Sequence, residues 1–236
     1  ISENFKLGID FSIKKILRFG IICLGIRLGL GDIINLGLAA LPLIIICLVS
    51  ALLIVIYLSK KINVSSKMAA LIAVGTSICG ASAIVATAPA INADEEEVTY
   101  AIANITLFGI LAMFFYPFLA NFIFNGNEYA VGLFLGTSIH ETAQVAGAGL
   151  IYAEQFNSPE VLDIAAVTKL VRNTSMMIII PLIAFIYHRN LKTTESVSNL
   201  SILSMFPLFI LGFITMGIFR TIGDITLQSS GYSFGL

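Results

Sequence analysis

The chain has 236 residues, 58% of them hydrophobic and 11% charged, against roughly 45–50% and about 25% in soluble domains. With a mean hydropathy of +0.97 it cannot cover a soluble core with its own polar groups, which excludes a soluble enzyme, a nucleic-acid binder and a disordered tail. The 13 basic and 14 acidic residues leave no polybasic surface, so nucleic acid is not an expected partner.

A bilayer core of about 30 Å takes roughly 20 apolar residues per helix. Seven segments reach that length: 13–31, 36–58, 68–92, 98–124, 129–152, 162–187 and 203–222. Their short connections leave no room for a soluble domain, so residues 1–236 read as one all-α membrane domain. The chain starts at Ile1 and stops at Leu236 soon after an apolar run. It is therefore expected to be a piece of a longer protein, with helices missing at both ends. Cys23, Cys47 and Cys79 lie inside apolar runs with no CxxC spacing, and read as small buried hydrophobes rather than metal ligands or disulfides.

Basic residues set the orientation. Lys14, Lys15 and Arg18 flank the first segment, Lys60, Lys61 and Lys67 separate the second and third, and Arg189 and Lys192 follow the sixth. Seven full crossings put all three groups in the cytoplasm and the acidic loops Asp94–Glu97 and Glu154–Asp163 outside. If 68–92 and 129–152 are instead re-entrant hairpins, the basic groups keep their side, and only Asp94–Glu97 and the loop near Glu128 change face. Charge counting is compatible with both, and the simpler seven crossings predict a periplasmic Asp94–Glu97. Tyr57, Tyr100, Tyr129, Tyr152 and Tyr187 sit at segment ends, as an interfacial aromatic belt would.

Polar residues inside the apolar runs carry the functional signal. Gly75-Thr76-Ser77-Ile78 precedes Gly80 and Ser82, and Gly136-Thr137-Ser138-Ile139 precedes His140, Glu141 and Gln144. The same tetrapeptide recurs 61 residues apart, each time in mid-segment. Such clusters predict helices that break at membrane depth, which is tolerated only inside protein or beside water. The N–H groups freed at a half-helix N-terminus would then cradle an anion beside the Thr and Ser hydroxyls. The plainer alternative is close helix packing through small residues. Gln144 falls one turn from His140, and Lys169 and Arg172 share a face with Asn173 beside them. Charges at that depth are costly and face a partner or water, unless the segment begins near Lys169 and both snorkel. Arg27 and Arg220 read as interfacial.

The strings GTSICGASAIVATAPAI (75–91) and GTSIHETAQVAGAG (136–149) resemble the two signature motifs of the YeiH-type sulfate exporter family of bacterial inner-membrane proteins. The run Leu17–Leu28 resembles that family's third membrane helix, and Lys169-Leu170-Val171-Arg172 its K-x-x-R element. One departure is Ala88-Pro89 in place of Glu-Pro, which removes a membrane carboxylate. The resemblance implies the inverted-repeat architecture of the cation/proton antiporter and anion transporter group, in a multi-pass inner-membrane protein.

The leading functional expectation is a secondary transporter, an exporter of sulfate or a related small oxyanion or organic anion, without cofactor or metal. Gly75, Thr76, Ser77, Gly80, Ser82, Thr137, Ser138, Gln144, Arg172 and Asn173 are the expected substrate-binding residues. His140, Glu141 and Lys169 are expected to couple transport to H+ or Na+, with Lys169 pairing with Glu141 in the empty site and Arg172 gripping the anion. A homo-oligomer fits the same reading. The alternatives are an intramembrane enzyme using Ser77 or Ser138 with His140 as base, and a structural membrane protein. Against the enzyme, His140 follows Ser138 by two residues, nearly opposite on a helix, and no GxSxG or HExxH signature exists.

Overall fold

A computed structural model describes residues 15–176, 178–183 and 209–230. Among them every regular element is helical: α1 (Leu17–Leu24), α2 (Leu30–Lys61), α3 (Ser66–Ser77), α4 (Ala81–Thr87), α5 (Glu95–Phe124), α6 (Glu128–Ser138), α7 (Thr142–Phe156), α8 (Glu160–Thr174) and α9 (Phe209–Ser230). A 3-10 turn, Gly25–Arg27, follows α1, and another, Ala88–Ile91, extends α4. Beyond a turn at Ser175 the α8 rod continues to Ile183. Three helices are long and apolar enough to cross a membrane: Leu30–Lys61, Glu95–Phe124 and Glu160–Ile183. The all-α membrane class expected from composition is met at that level. Lys14, Tyr187, Arg189 and Lys192 lie outside the described residues, as do the side chains of Arg18 and Arg27.

The chain divides into two compact units, Ile1–Leu38 with Pro207–Leu236, and Ala39–Phe206. In the first, α1 and the turn after it meet α9 through small residues: Gly25 of the turn lies against the Phe213 carbonyl and Gly212 against Ile22 of α1. Thr221 accepts a hydrogen bond from the Leu30 amide at 2.7 Å, which fixes the start of α2. Arg220, expected at the interface, pairs with Asp224 one turn on, at 2.9 Å.

The second unit is built around α5. Ser65 caps α3 by accepting from the Met68 amide, and Asp94 with Glu97 forms a capping box at the start of α5. Both ends of the α3–α4 segment lie at that start: the Ser65 hydroxyl donates to Glu97, and Lys67 pairs with Asp94 at 3.3 Å. In between, Gly75 and Gly80 reach Ile105. The segment therefore runs in along α5 for about 15 Å, the rise of ten helical residues, and returns. The α6–α7 segment does the same from the other end. Tyr152 donates to Asn121 at 2.9 Å and Phe156 meets Phe118 edge-on, while Gln144 donates to the Thr106 carbonyl and Glu141 accepts from the Thr106 hydroxyl.

Helix α8 gives an independent reading of direction. Gly132 and Gly136 of α6 lie against Ile164 and Ala165, in parallel order, whereas Thr142 and Gly149 of α7 meet Asn173 and Leu162, in reverse order. So α6 and α7 are antiparallel.

Of the two arrangements that charge counting allows, the geometry follows the hairpins: segments 68–92 and 129–152 each fold back, and their tips meet near Ile105 and Thr106 of α5. The motif GTSI ends the inbound arm in both hairpins, since α3 stops at Ser77 and α6 at Ser138. Asn92, Asn125 and Asn157 hold left-handed caps at the outer ends of these arms, a conformation asparagine tolerates better than most residues. Tyr152, one of the segment-end tyrosines, is buried within this unit, and its hydroxyl donates to Asn121.

Candidate functional site

An inbound arm that stops at mid-depth ends in carbonyls without helical partners and carries about half a negative charge. Two such ends face each other here, and α8 delivers two cations to them. Arg172 donates from Nε to the Ser77 carbonyl at 2.9 Å, from Nη2 to Thr76, and from Nη1 to Thr137 at 2.6 Å and Ile139 at 3.4 Å. Lys169 donates from Nζ to the Ile78 carbonyl at 2.8 Å and to Ile139 at 3.2 Å. Each cation therefore bonds both tips. Lys169 is 0% exposed and Arg172 3%, which rules out surface snorkelling.

Two expectations change as a result. The GTSI motifs present carbonyls rather than N–H groups, because each motif closes a half-helix instead of opening one. Lys169 does not pair with Glu141, because both tips' carbonyls already hold its ammonium group.

The freed N–H groups belong to the outbound arms. Glu141 stands at the N-cap of α7 in extended conformation, where a carboxylate offsets the dipole. It accepts from Thr106 at 3.2 Å. Asn173 donates to the Thr142 hydroxyl at 3.2 Å, and Gln144 is 5% exposed with its carbonyl oxygen against Gly109. His140 precedes α7 rather than lying within it, so the one-turn relation to Gln144 does not hold. His140 Nδ1, Gln144 Oε1, Asn173 Oδ1 and Thr168 Oγ1 are buried without a hydrogen-bond partner.

Gly80 turns the first tip at φ +68°, a region closed to most side chains. Its α-carbon faces the other tip: an added β-carbon would lie 3.0 Å from Glu141 Cγ and 3.5 Å from His140 Cβ. Gly75 is a contact position, packed against Ile105 and Ile84.

The hydroxyls of the motifs mostly turn back on their own helices. Ser77 donates to Val74, Thr137 to Leu133 and Ser138 to Phe134. Ser82 is exposed on α4 and is not drawn into the cluster. Thr76 lines a groove that also reaches His140. Thr106 was missed from sequence. Its only signal is one hydroxyl in an apolar run, which ordinary helices carry too.

Among the described residues no group of His, Cys, Asp and Glu is arranged to hold a metal. No solved structure matches the chain. A UPF0324 membrane protein of Fusobacterium nucleatum is 39% identical over 226 residues, covering 95% of this chain and 64% of the relative. One from Streptococcus agalactiae is 38% identical over 98% of this chain and 66% of its own length. One from Streptococcus pneumoniae is 35% identical over 90% and 62%. The chain thus spans about two thirds of the length of these relatives, and with three apolar helices of crossing length it is a membrane protein. The model of the family described as conserved hypothetical protein 698 matches residues 1–231, and the chain belongs to that family, the YeiH-type family its motifs resemble.

Proposed function

We propose that this protein is a secondary transporter of a small anion, a multi-pass protein of the bacterial inner membrane that works by alternating access around the two hairpin tips. One observation carries the reading: two hairpins enter from opposite ends of α5 and meet tip to tip, with buried Lys169 and Arg172 between them. Hairpin plus long helix occurs twice, α3–α4–α5 and α6–α7–α8, in opposite senses, which supports an inverted repeat. The charges support an anion. Two cations face two helix C-termini worth about half a negative charge each, leaving about one positive charge for Glu141 or a substrate to balance. Protonation of Glu141 would then free that charge for the anion, which makes Glu141 and His140 the coupling candidates, with H+ or Na+ as the ion. Export and sulfate as substrate belong to this proposal through the family resemblance alone. The test is flux of labelled anions into proteoliposomes of the full-length protein, driven by an imposed H+ or Na+ gradient. No flux for any anion under either gradient would refute it.

The hairpins also revise the topology. Asp94–Glu97 lies at the same end of the unit as Lys67, so it takes the cytoplasmic side of the lysines. In a variant whose native cysteines are replaced, Glu96→Cys should stay unlabelled by an impermeant thiol reagent on intact cells and react once they are opened. Labelling of intact cells would undo the re-entrant reading.

The enzyme alternative makes a different demand. A nucleophilic serine needs its base within hydrogen-bond reach, whereas Ser138 and Ser77 donate to Phe134 and Val74. Ser77→Ala and Ser138→Ala should each leave anion flux within about threefold of wild type, since an own-helix bond contributes little. Abolished function in a folded Ser138→Ala protein would favour catalysis.

A further inference from the structure

A groove of about 590 Å³ runs beside the first hairpin. Its walls are two helical stripes at four-residue spacing: Met68, Ile72 and Thr76 on α3, and Tyr100, Asn104 and Phe108 on α5. Because α3 and α5 run in the same direction, the stripes descend together. The mouth is at Ser65, beside the Lys67–Asp94 pair. The floor is Thr76 and His140, where the two tips meet. The groove is thus mainly apolar, with Ser65 at one end, Asn104 along one wall and Thr76 with His140 at the other end, and it joins the charged end of the unit to the site.

We infer that this groove is the access route of the transported anion from the Lys67 side, and that it selects an organic monoanion with an apolar body over inorganic oxyanions such as sulfate. The inference rests on the transport reading and narrows its substrate. A bare oxyanion must exchange its water for a dense set of donors. The two cations do not supply them. Arg172 has five N–H donors and makes four bonds to carbonyls. Lys169 has three and spends two, and neither residue lines the groove. The Asn104 amide already donates to the Tyr100 carbonyl at 2.8 Å. What remains at the floor is the Thr76 hydroxyl and the His140 imidazole, a sparse donor set that suits a single carboxylate better than a four-oxygen dianion. The walls suit an alkyl or aryl body, and the volume lies in the range of about 300–1,000 Å³ usual for organic ligands.

The test uses the full-length protein with all its native cysteines, Cys23, Cys47 and Cys79 among them, replaced by Ala, carrying Met68→Cys, in open membrane fragments. A charged, impermeant thiol reagent should label Met68→Cys. Hexanoate should slow that labelling at least fivefold, and sulfate at the same ionic strength should leave it unchanged. Adding Ile72→Trp to fill the groove should remove the hexanoate protection while the melting temperature of the purified protein stays within a few degrees. Labelling only by an apolar reagent would mean a lipid-filled groove and would overturn the inference. So would protection by sulfate equal to that by hexanoate, or protection that survives Ile72→Trp in folded protein. Flux measured in parallel separates this inference from the transport reading. Sulfate flux without hexanoate protection refutes the groove and leaves transport standing. Hexanoate protection with no anion flux refutes transport, and with it the groove's role as an access route.

Discussion

Arg172→Gln should destabilise the full-length protein by about 3–5 kcal/mol, the usual cost of breaking a buried charged network from one side, or prevent recovery of folded protein altogether. Arg172 holds four carbonyls that belong to two different hairpins, and Gln has two N–H donors to offer. The remaining carbonyls would stay buried without partners, at about 1–3 kcal/mol each. Arg172→Lys keeps the charge but has one short, mobile donor group in place of a planar fork, and should fall between wild type and Arg172→Gln. Lys169→Met loses two bonds and should cost less than Arg172→Gln. Thermal unfolding of the purified variants, followed with a tertiary-structure probe, gives the ranking. The opposite result, a stable Arg172→Gln protein with lost anion affinity, would return Arg172 to the role of a direct ligand.

That role was the natural one to read from the sequence, and the reason it changes is instructive. Lys169 and Arg172 were legible as buried partners because a charge in an apolar run must meet something. What they meet are main-chain carbonyls, which no residue type marks. The breaks were legible too, since Gly-Thr-Ser clusters do not belong in a membrane helix. Their polarity was not. Shifting a break by two or three residues decides whether GTSI opens a half-helix, exposing N–H groups, or closes one, exposing carbonyls. Here Ser77 and Ser138 are the last helical residues, so the motifs are negative ends that require cations.

Hairpin direction escaped for a related reason. Crossing and re-entering segments leave Lys60, Lys61 and Lys67 on the same side, and only the Lys67–Asp94 and Ser65–Glu97 contacts separate the two. The groove was invisible because Met68, Ile72, Tyr100 and Phe108 are ordinary membrane residues. Its floor needs a histidine and a threonine 64 positions apart in the chain.

Gly80→Ala should damage the first tip through both its backbone and its space. Gly80 has φ +68° and ψ −127°, a backbone state that costs an L-residue about 1–3 kcal/mol. Space is also short, since the new β-carbon would sit 3.0 Å from Glu141 Cγ and 3.1 Å from Ile105 Cγ2. Relief requires either a different turn at the first tip or retreat of the second, and retreat strains the bonds by which Lys169 and Arg172 join them. The expected result is a membrane-inserted protein with a lowered melting temperature and at least tenfold less anion flux. Gly75→Ala separates strain from crowding. Its added carbon would press on the buried side chains of Ile105 and Ile84, more closely than at Gly80, but its backbone is helical, so any loss there measures crowding without backbone strain. Gly31→Ala supplies the baseline: it lies in α2 with nothing within 4 Å of the added carbon, and helix propensity alone should make it neutral or stabilising by up to about 1 kcal/mol. If Gly80→Ala instead matched Gly31→Ala in both melting temperature and flux, the two hairpin tips would not be in contact, and a site built from their meeting would have to be abandoned.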